Sequence, residues 1–157
     1  MLQLKETPVV KAEMLVRRAV DVVYEAFVDP AVTTKFWFTK SSGRLEQGRH
    51  IRWDWEMYGV GDELTVEALD PNRFIRIGWS DGTKTEWTFT PRGEEETLVA
   101  IVNRGFDGDG DDIVAQAIDS MGGYMIVLCG CKALLEHGIV LNAVRDKAPD
   151  AWVSRKD

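Results

Sequence analysis

Between Ser42 and Arg104 the chain is punctuated by turn-forming residues at intervals of about ten. They are Gly43, Gly48, Tyr58-Gly59, Asp70-Pro71-Asn72, Asp81-Gly82 and Pro91-Arg92-Gly93. The segments between them read HIRWDWEM, ELTVEALD, RFIRIGWS, TKTEWTFT and ETLVAIVNR. Alternation is plain in the first: Ile51, Trp53, Trp55 and Met57 share one face, while Arg52, Asp54 and Glu56 share the other. It recurs as Leu64, Val66 and Ala68, as Ile75, Ile77 and Trp79, and as Trp87 and Phe89. Short alternating strands joined by tight turns form one antiparallel sheet with an apolar face and a solvated one. The segment 98–104 is apolar on both faces, so the pattern leaves its register open.

An apolar sheet face needs a cover, and one segment can supply it. Ile113 to His137 runs without proline, and Ile113, Ala117, Met121, Tyr124, Leu128 and Leu135 keep a helical stripe. Gly138 is placed to end this helix and an aspartate of the 107–112 loop to cap it. At ~1.5 Å per residue it is about 35 Å long, enough to cross a sheet. At the other end of the chain, 11–18 reads as a first strand. Val20, Val23, Tyr24 and Phe27 then change the period to that of a helix, which Asp29-Pro30 stops. A second short helix is expected over 30–36, with proline near its start. The expected architecture is α+β: a curved six- to seven-stranded antiparallel sheet gripping a long C-terminal helix, with two short helices after the first strand. One domain is expected over 11–138, with 1–10 and 139–157 as terminal extensions, the latter anchored by Trp152. A twisted sheet wrapped on one helix leaves a gap that is either packed solid or kept as a cavity. Gly122, Gly123 and Gly130 in the helix leave room and favour a cavity.

Composition narrows the function. The 19 basic and 26 acidic residues give a net charge of −7, which disfavours nucleic acid and anionic membrane surfaces as partners. Cys129 and Cys131 point about 200° apart on a helix, so they neither pair nor share a metal. Two reduced cysteines suit a cytoplasmic location. The opening MLQLKETPVVK does not read as a signal peptide, and no apolar run of about 20 residues suggests membrane insertion.

Six tryptophans in 157 residues must be buried or must line something. The candidate ligand-binding set is Trp53, Trp55, Met57, Ile77, Trp79, Trp87 and Phe89 from the strands, with Met121, Tyr124 and Leu128 from the helix. Trp37, between Phe36 and Phe38, is expected at the cavity mouth. Each of these has core packing as its alternative, since a buried aromatic ring dominates core energetics. Arg76, Glu86 and Arg104 lie in strands; an inward-facing one would be a polar handle for a ligand. The DGDGDD loop begins like a calcium loop, but Asp112 and Ile118 stand where glycine and glutamate are needed. His50 and His137 have no neighbouring ligand motif. No nucleophile elbow, P-loop or dinucleotide fingerprint occurs. No catalytic residue, metal site or cofactor is therefore assigned.

The stretch VYEAFVDPAVTTKFWF resembles a signature of the START-like (SRPBCC) superfamily, in the branch named for the activator of 90-kDa heat-shock-protein ATPase. RFIRIGWS, TKTEWTFTPRGEEETLVAIVNRGF and GGYMIVLCGCKALLEHG resemble that branch's strand, hairpin and terminal-helix patterns, so the likeness spans about 11–138. Tyr124 departs from it, standing where the branch usually has tryptophan. The resemblance implies a helix-grip fold and often a hydrophobic ligand, with no shared catalytic residue. The first expectation is thus a non-enzymatic carrier or sensor of a small hydrophobic or aromatic molecule, lipid or polyketide-like. The alternatives are a cyclase or dehydratase using a polar cavity residue, and a stress-related co-chaperone module with a protein partner or a homodimeric form.

Overall fold

A computed structural model describes residues 2–153. Met1 and the last four residues of the C-terminal extension lie outside them. Among the described residues, seven strands form one antiparallel sheet in the order β1-β7-β6-β5-β4-β3-β2. They are β1 (Val10–Val16), β2 (Lys40–Ser41), β3 (His50–Trp55), β4 (Val60–Asp70), β5 (Phe74–Trp79), β6 (Lys84–Gly93) and β7 (Glu96–Arg104). Helices α1 (Val20–Val28) and α2 (Pro30–Thr33) follow β1. The long helix α3 (Gly110–His137) and a single turn, α4 (Ala143–Asp146), follow the sheet. This is the α+β helix-grip arrangement expected from the sequence.

The β7 register that alternation leaves open is settled by pairing. Thr97, Val99, Ile101 and Asn103 face the core, and the residues between them are half-buried on the other side. Elsewhere the pleat holds with one correction. A bulge lies between Val66 and Ala68, and beyond it Leu69 pairs with core-facing Ile75. The stripe Leu64, Val66, Ala68 therefore ends at Val66, because one extra residue inverts every side chain that follows. A second irregularity lies between Pro91 and Gly93. Such bulges increase local twist and let the sheet curl around the helix. Arg76, Glu86 and Arg104 all lie on the outer face. Arg76 approaches Glu67 at 3.3 Å and Arg104 pairs with Glu86, so none is a handle inside the fold.

Asp29 ends α1 in an extended conformation, and its side chain accepts a hydrogen bond from Ala31 N at 2.9 Å to start α2. The α2 helix stops at Thr33, earlier than expected, and turns carry the chain to Phe38. Phe27, Phe36, Trp87 and Phe89 pack there ring against ring and fill one end of the grip. Asp109 and Asp112 form a reciprocal capping box at the start of α3, and Gly138, at φ 65°, terminates it. By length and composition α3 could span a membrane, its best window reaching a mean hydropathy of 1.4. This corrects the expectation that no such run exists. In the fold the helix lies on the sheet, burying Val127, Leu128, Gly130 and Cys131. Cys129 is exposed, whereas burial, with Glu136 nearby, pushes the Cys131 thiol up to about 12.

Candidate functional site: an aromatic cleft

The two halves of α3 have different neighbours. Around Gly130 the helix presses on Phe36, where an added Cβ would come within 3.1 Å of the phenylalanine Cβ. Around Gly123 it stands clear, with nothing within 4 Å of the same position. The space left there is a cleft of about 690 Å³, within the usual range for small-molecule sites. Trp37, Trp55 and Trp79 wall its sheet side, with Gly123, Tyr124 and Val127 on the α3 side. Val144, Ala148 and Ala151 of the C-terminal segment form part of its rim. Trp37 organises the aromatic wall. Its ring lies 4.9 Å from Trp53, 5.9 Å from Tyr124 and 6.3 Å from both Trp55 and Trp79.

Behind this wall runs a hydrogen-bond network centred on Thr85, which is fully buried. Its Oγ1 accepts the Trp79 indole N–H at 2.8 Å and an amide hydrogen of Asn103 at 3.1 Å. It lies 2.8 Å from the Tyr124 hydroxyl. Asn103 donates its other amide hydrogen to the Lys84 carbonyl at 2.9 Å, and its Oδ1 accepts from Ser120 at 2.7 Å. Burial pushes the Tyr124 phenol well above the usual tyrosine range, against the opposing effect of its hydrogen bond to Thr85 and of the nearby Trp79 indole. Asp81 adds to the rise. Tyr124 is therefore a neutral hydroxyl at physiological pH, suited to donating a hydrogen bond and unsuited to acting as a base. The rim is acidic, with Asp62, Asp81 and Asp119 on it, and Lys147 approaches Asp119 at 3.5 Å. Among the described residues, no cluster of His, Cys, Asp or Glu is placed to hold a metal.

Of the candidates named from sequence, the cleft brings together Trp37, Trp55, Trp79 and Tyr124. Trp53, Ile77, Trp87, Phe89 and Leu128 lie instead in the solid core, each no more than 3% exposed. They are on the correct face of the sheet, but the short helices and Phe38 already cover them; Phe38 stacks on Trp53 at 4.1 Å. Met57 leaves the wall because β3 ends at Trp55 and a 3-10 turn over Glu56–Tyr58 follows, directing Met57 toward Phe36 and Leu141. Met121 is 39% exposed. Stepping by 3.6 residues from Ile113 leads to Ser120 and Tyr124, so Ser120 holds the inward position that the stripe assigned to Met121.

Sequence reasoning missed Thr85, Asn103 and Ser120, which are polar residues on an inner face and break the apolar pattern. That break was itself the available signal. It also missed the C-terminal segment, which returns to the cleft. Tyr58 donates its hydroxyl to the Val144 and Arg145 carbonyls, and the Val153 amide donates to the Met57 carbonyl at 3.0 Å. The Trp152 indole donates to the Arg145 carbonyl at 2.8 Å.

With this geometry in view, a family model described as "Activator of Hsp90 ATPase homolog 1-like protein" matches residues 17–123. Among solved structures, the chain is similar to protein SSP2350 from Staphylococcus saprophyticus, at 30% identity and TM-score 0.75, covering 85% of this chain and 96% of that one. It shares its fold with the Aha1 dimer of Colwellia psychrerythraea, at 18% identity and TM-score 0.70, covering 83% and 98%. DynU16, from the dynemicin biosynthetic locus, is similar at 21% identity and TM-score 0.68, covering 84% of this chain and 48% of that one. No curated protein matches the chain.

Proposed function

We propose that this chain, which belongs to the Activator of Hsp90 ATPase homolog 1-like family, binds a small aromatic or otherwise apolar molecule in the cleft between α3 and the sheet. The observation that carries this reading is the vacancy beside Gly123, faced by three indoles and a phenol. Packed interiors rarely keep such space, and the indole surface that borders it is available to a flat apolar ligand. The fold supports it too, because one end of the grip is filled by side chains and the other is not. A protein of the same fold comes from the dynemicin biosynthetic locus, which accords with small-molecule work on this fold. The acid–base alternative has less support. Tyr124 is held neutral, so a cyclase-type reaction here would have to find its base on the rim.

Gly123→Leu tests the proposal. Leucine favours a helix over glycine by ~1 kcal/mol, and its side chain would project into the empty space. The wild-type protein is titrated with a panel of lipids, flavonoid-like aromatics and polyketides, following tryptophan fluorescence and amide shifts. Saturable quenching is expected, with shifts at Trp37, Trp55, Trp79 and Tyr124, and both should be lost in the leucine variant. A folded wild type that responds to no compound, or a variant that binds as well as wild type, would sink the proposal.

A further inference from the structure

Counting the hydroxyl hydrogens along the cleft wall isolates one of them. Thr85 Oγ1 accepts from the Trp79 indole and from Asn103, and neither can do anything but donate to it. The orientation of Asn103 is fixed, because the Lys84 carbonyl can only accept and so must face the NH₂ group. With both acceptor positions on Thr85 Oγ1 occupied, its single hydrogen must go to the Tyr124 oxygen at 2.8 Å. Tyr124 is therefore the acceptor in its contact with the network, and its own hydrogen points elsewhere.

The other hydroxyl and amide side chains on the wall have given their hydrogens to protein. Thr83 donates to Asp81, Ser120 to Asn103, Gln116 to the Asp107 and Asp112 carbonyls, and Tyr58 to the C-terminal segment. Among the described residues, Tyr124 is the hydroxyl on the wall whose hydrogen has no protein acceptor. It sits beside the vacancy at Gly123. The sign of the surroundings restricts what accepts it. Among the described residues, Asp62, Asp81 and Asp119 line the cleft with a single cation, Lys147, which approaches Asp119 at 3.5 Å. A carboxylate or phosphate would meet like charge, whereas a neutral oxygen would not.

Resting on the binding role proposed above, we infer that Tyr124 donates a hydrogen bond to the ligand, and that the ligand is a neutral aromatic molecule carrying a carbonyl oxygen. Indole walls hold the ring system and the phenol fixes its orientation.

The test uses 9-fluorenone and fluorene, which share a shape and differ by the carbonyl. Both are titrated into wild type and Tyr124→Phe, following tryptophan fluorescence. The carbonyl stretch of bound 9-fluorenone is recorded by infrared difference spectroscopy. Wild type is expected to prefer 9-fluorenone by about three- to tenfold, the range of one net hydrogen bond. Tyr124→Phe should abolish that preference while leaving fluorene affinity within about twofold, because the ring and its packing remain. The carbonyl stretch should fall to lower frequency on wild type relative to hydrocarbon solvent, and should not on the variant. Equal binding of both compounds by wild type, or an unshifted stretch, would overturn the role of Tyr124 and leave the cleft standing as a binding site. Binding of neither compound by folded wild type would overturn both.

Discussion

Thr85 and Thr97 are equally buried, both on the inner face of the sheet, yet they hold different numbers of partners. Thr97 gives its hydroxyl to one acceptor, the Arg18 carbonyl, at 2.9 Å. Thr85 joins Trp79, Tyr124 and Asn103. Replacing either by valine removes one hydroxyl at nearly constant volume, so the difference between the two variants isolates hydrogen bonding. At position 85 the substitution strands a buried Asn103 hydrogen and the Trp79 N–H, whereas the Arg18 carbonyl, near the surface, can turn to water. An unmade buried hydrogen bond costs about 1–3 kcal/mol. Thr85→Val should therefore destabilise the fold by about 2 kcal/mol, and Thr97→Val by less than about 1, measured by urea unfolding at neutral pH. Equal losses would mean that the Thr85 network is no more than local decoration. The same residues explain a limit of sequence reading. Alternation marks Thr85 as an inward position, but it leaves the register of Asn103 open and cannot say that three side chains from different elements converge on one oxygen.

At the scale of elements, legibility follows how local the determinants are. The strands and α3 carry their signals in their own periodicity, and their boundaries came within a few residues of what alternation and capping predict. β2 is two residues long and exists through its pairing with Trp53 and Asp54, so no local pattern announces it. The α4 turn is likewise held by contacts from outside, chiefly the Tyr58 hydroxyl on the Val144 carbonyl. The α3 stripe was legible in outline and lost phase at Met121, because apolar residues occur nearly all round this helix and blur its inner face. Its start is different. Asp109 accepts from the Asp112 amide at 2.8 Å, and Asp112 reaches back to the Asp109 amide at 3.3 Å. Asp109→Ala should destabilise the protein by about 1 kcal/mol, as lost N-caps do. Hydrogen exchange should quicken at the amides of residues 111–113 more than at the buried turn around Leu128. An unchanged first turn would show that packing against the loop, and not the cap, holds the helix start.

Over the whole molecule, the cleft depends on α3 being held at one end and raised at the other. Its C-terminal half lies on Phe36 and on β1, and Glu136 is the fastening. This carboxylate accepts the Arg17 amide at 3.0 Å and the Lys132 ammonium at 2.6 Å, while Lys132 also reaches the Leu15 carbonyl at 2.8 Å. Burial alone would raise the Glu136 carboxyl. The Arg17 amide and Lys132 outweigh it, so the group sits below the ordinary carboxylate value of 4.5. Glu25 beside Arg44, and Glu67 beside Lys84, are held low as well, but these pairs are more exposed and exposed pairs contribute little. Glu136, with its side chain 8% exposed, should dominate. A carboxyl lowered in the folded state adds stability that is present above its unfolded value and lost as pH falls through the folded one. Acidification also relieves the self-repulsion of a chain with net charge −7, which acts in the opposite direction. That relief is spread over the surface and screened by salt, so in 0.15 M salt the local loss should prevail. Unfolding free energy is therefore expected to be flat from pH 7 to about 5 and to fall below about 4.5. Glu136→Gln should be about 1–3 kcal/mol less stable at pH 7, since the half-buried Lys132 is left without its counter-charge, and its acid slope should be shallower. Two parallel pH profiles would show that the acid response resides elsewhere in the molecule, and profiles with no offset would show that this end of α3 is held by packing alone.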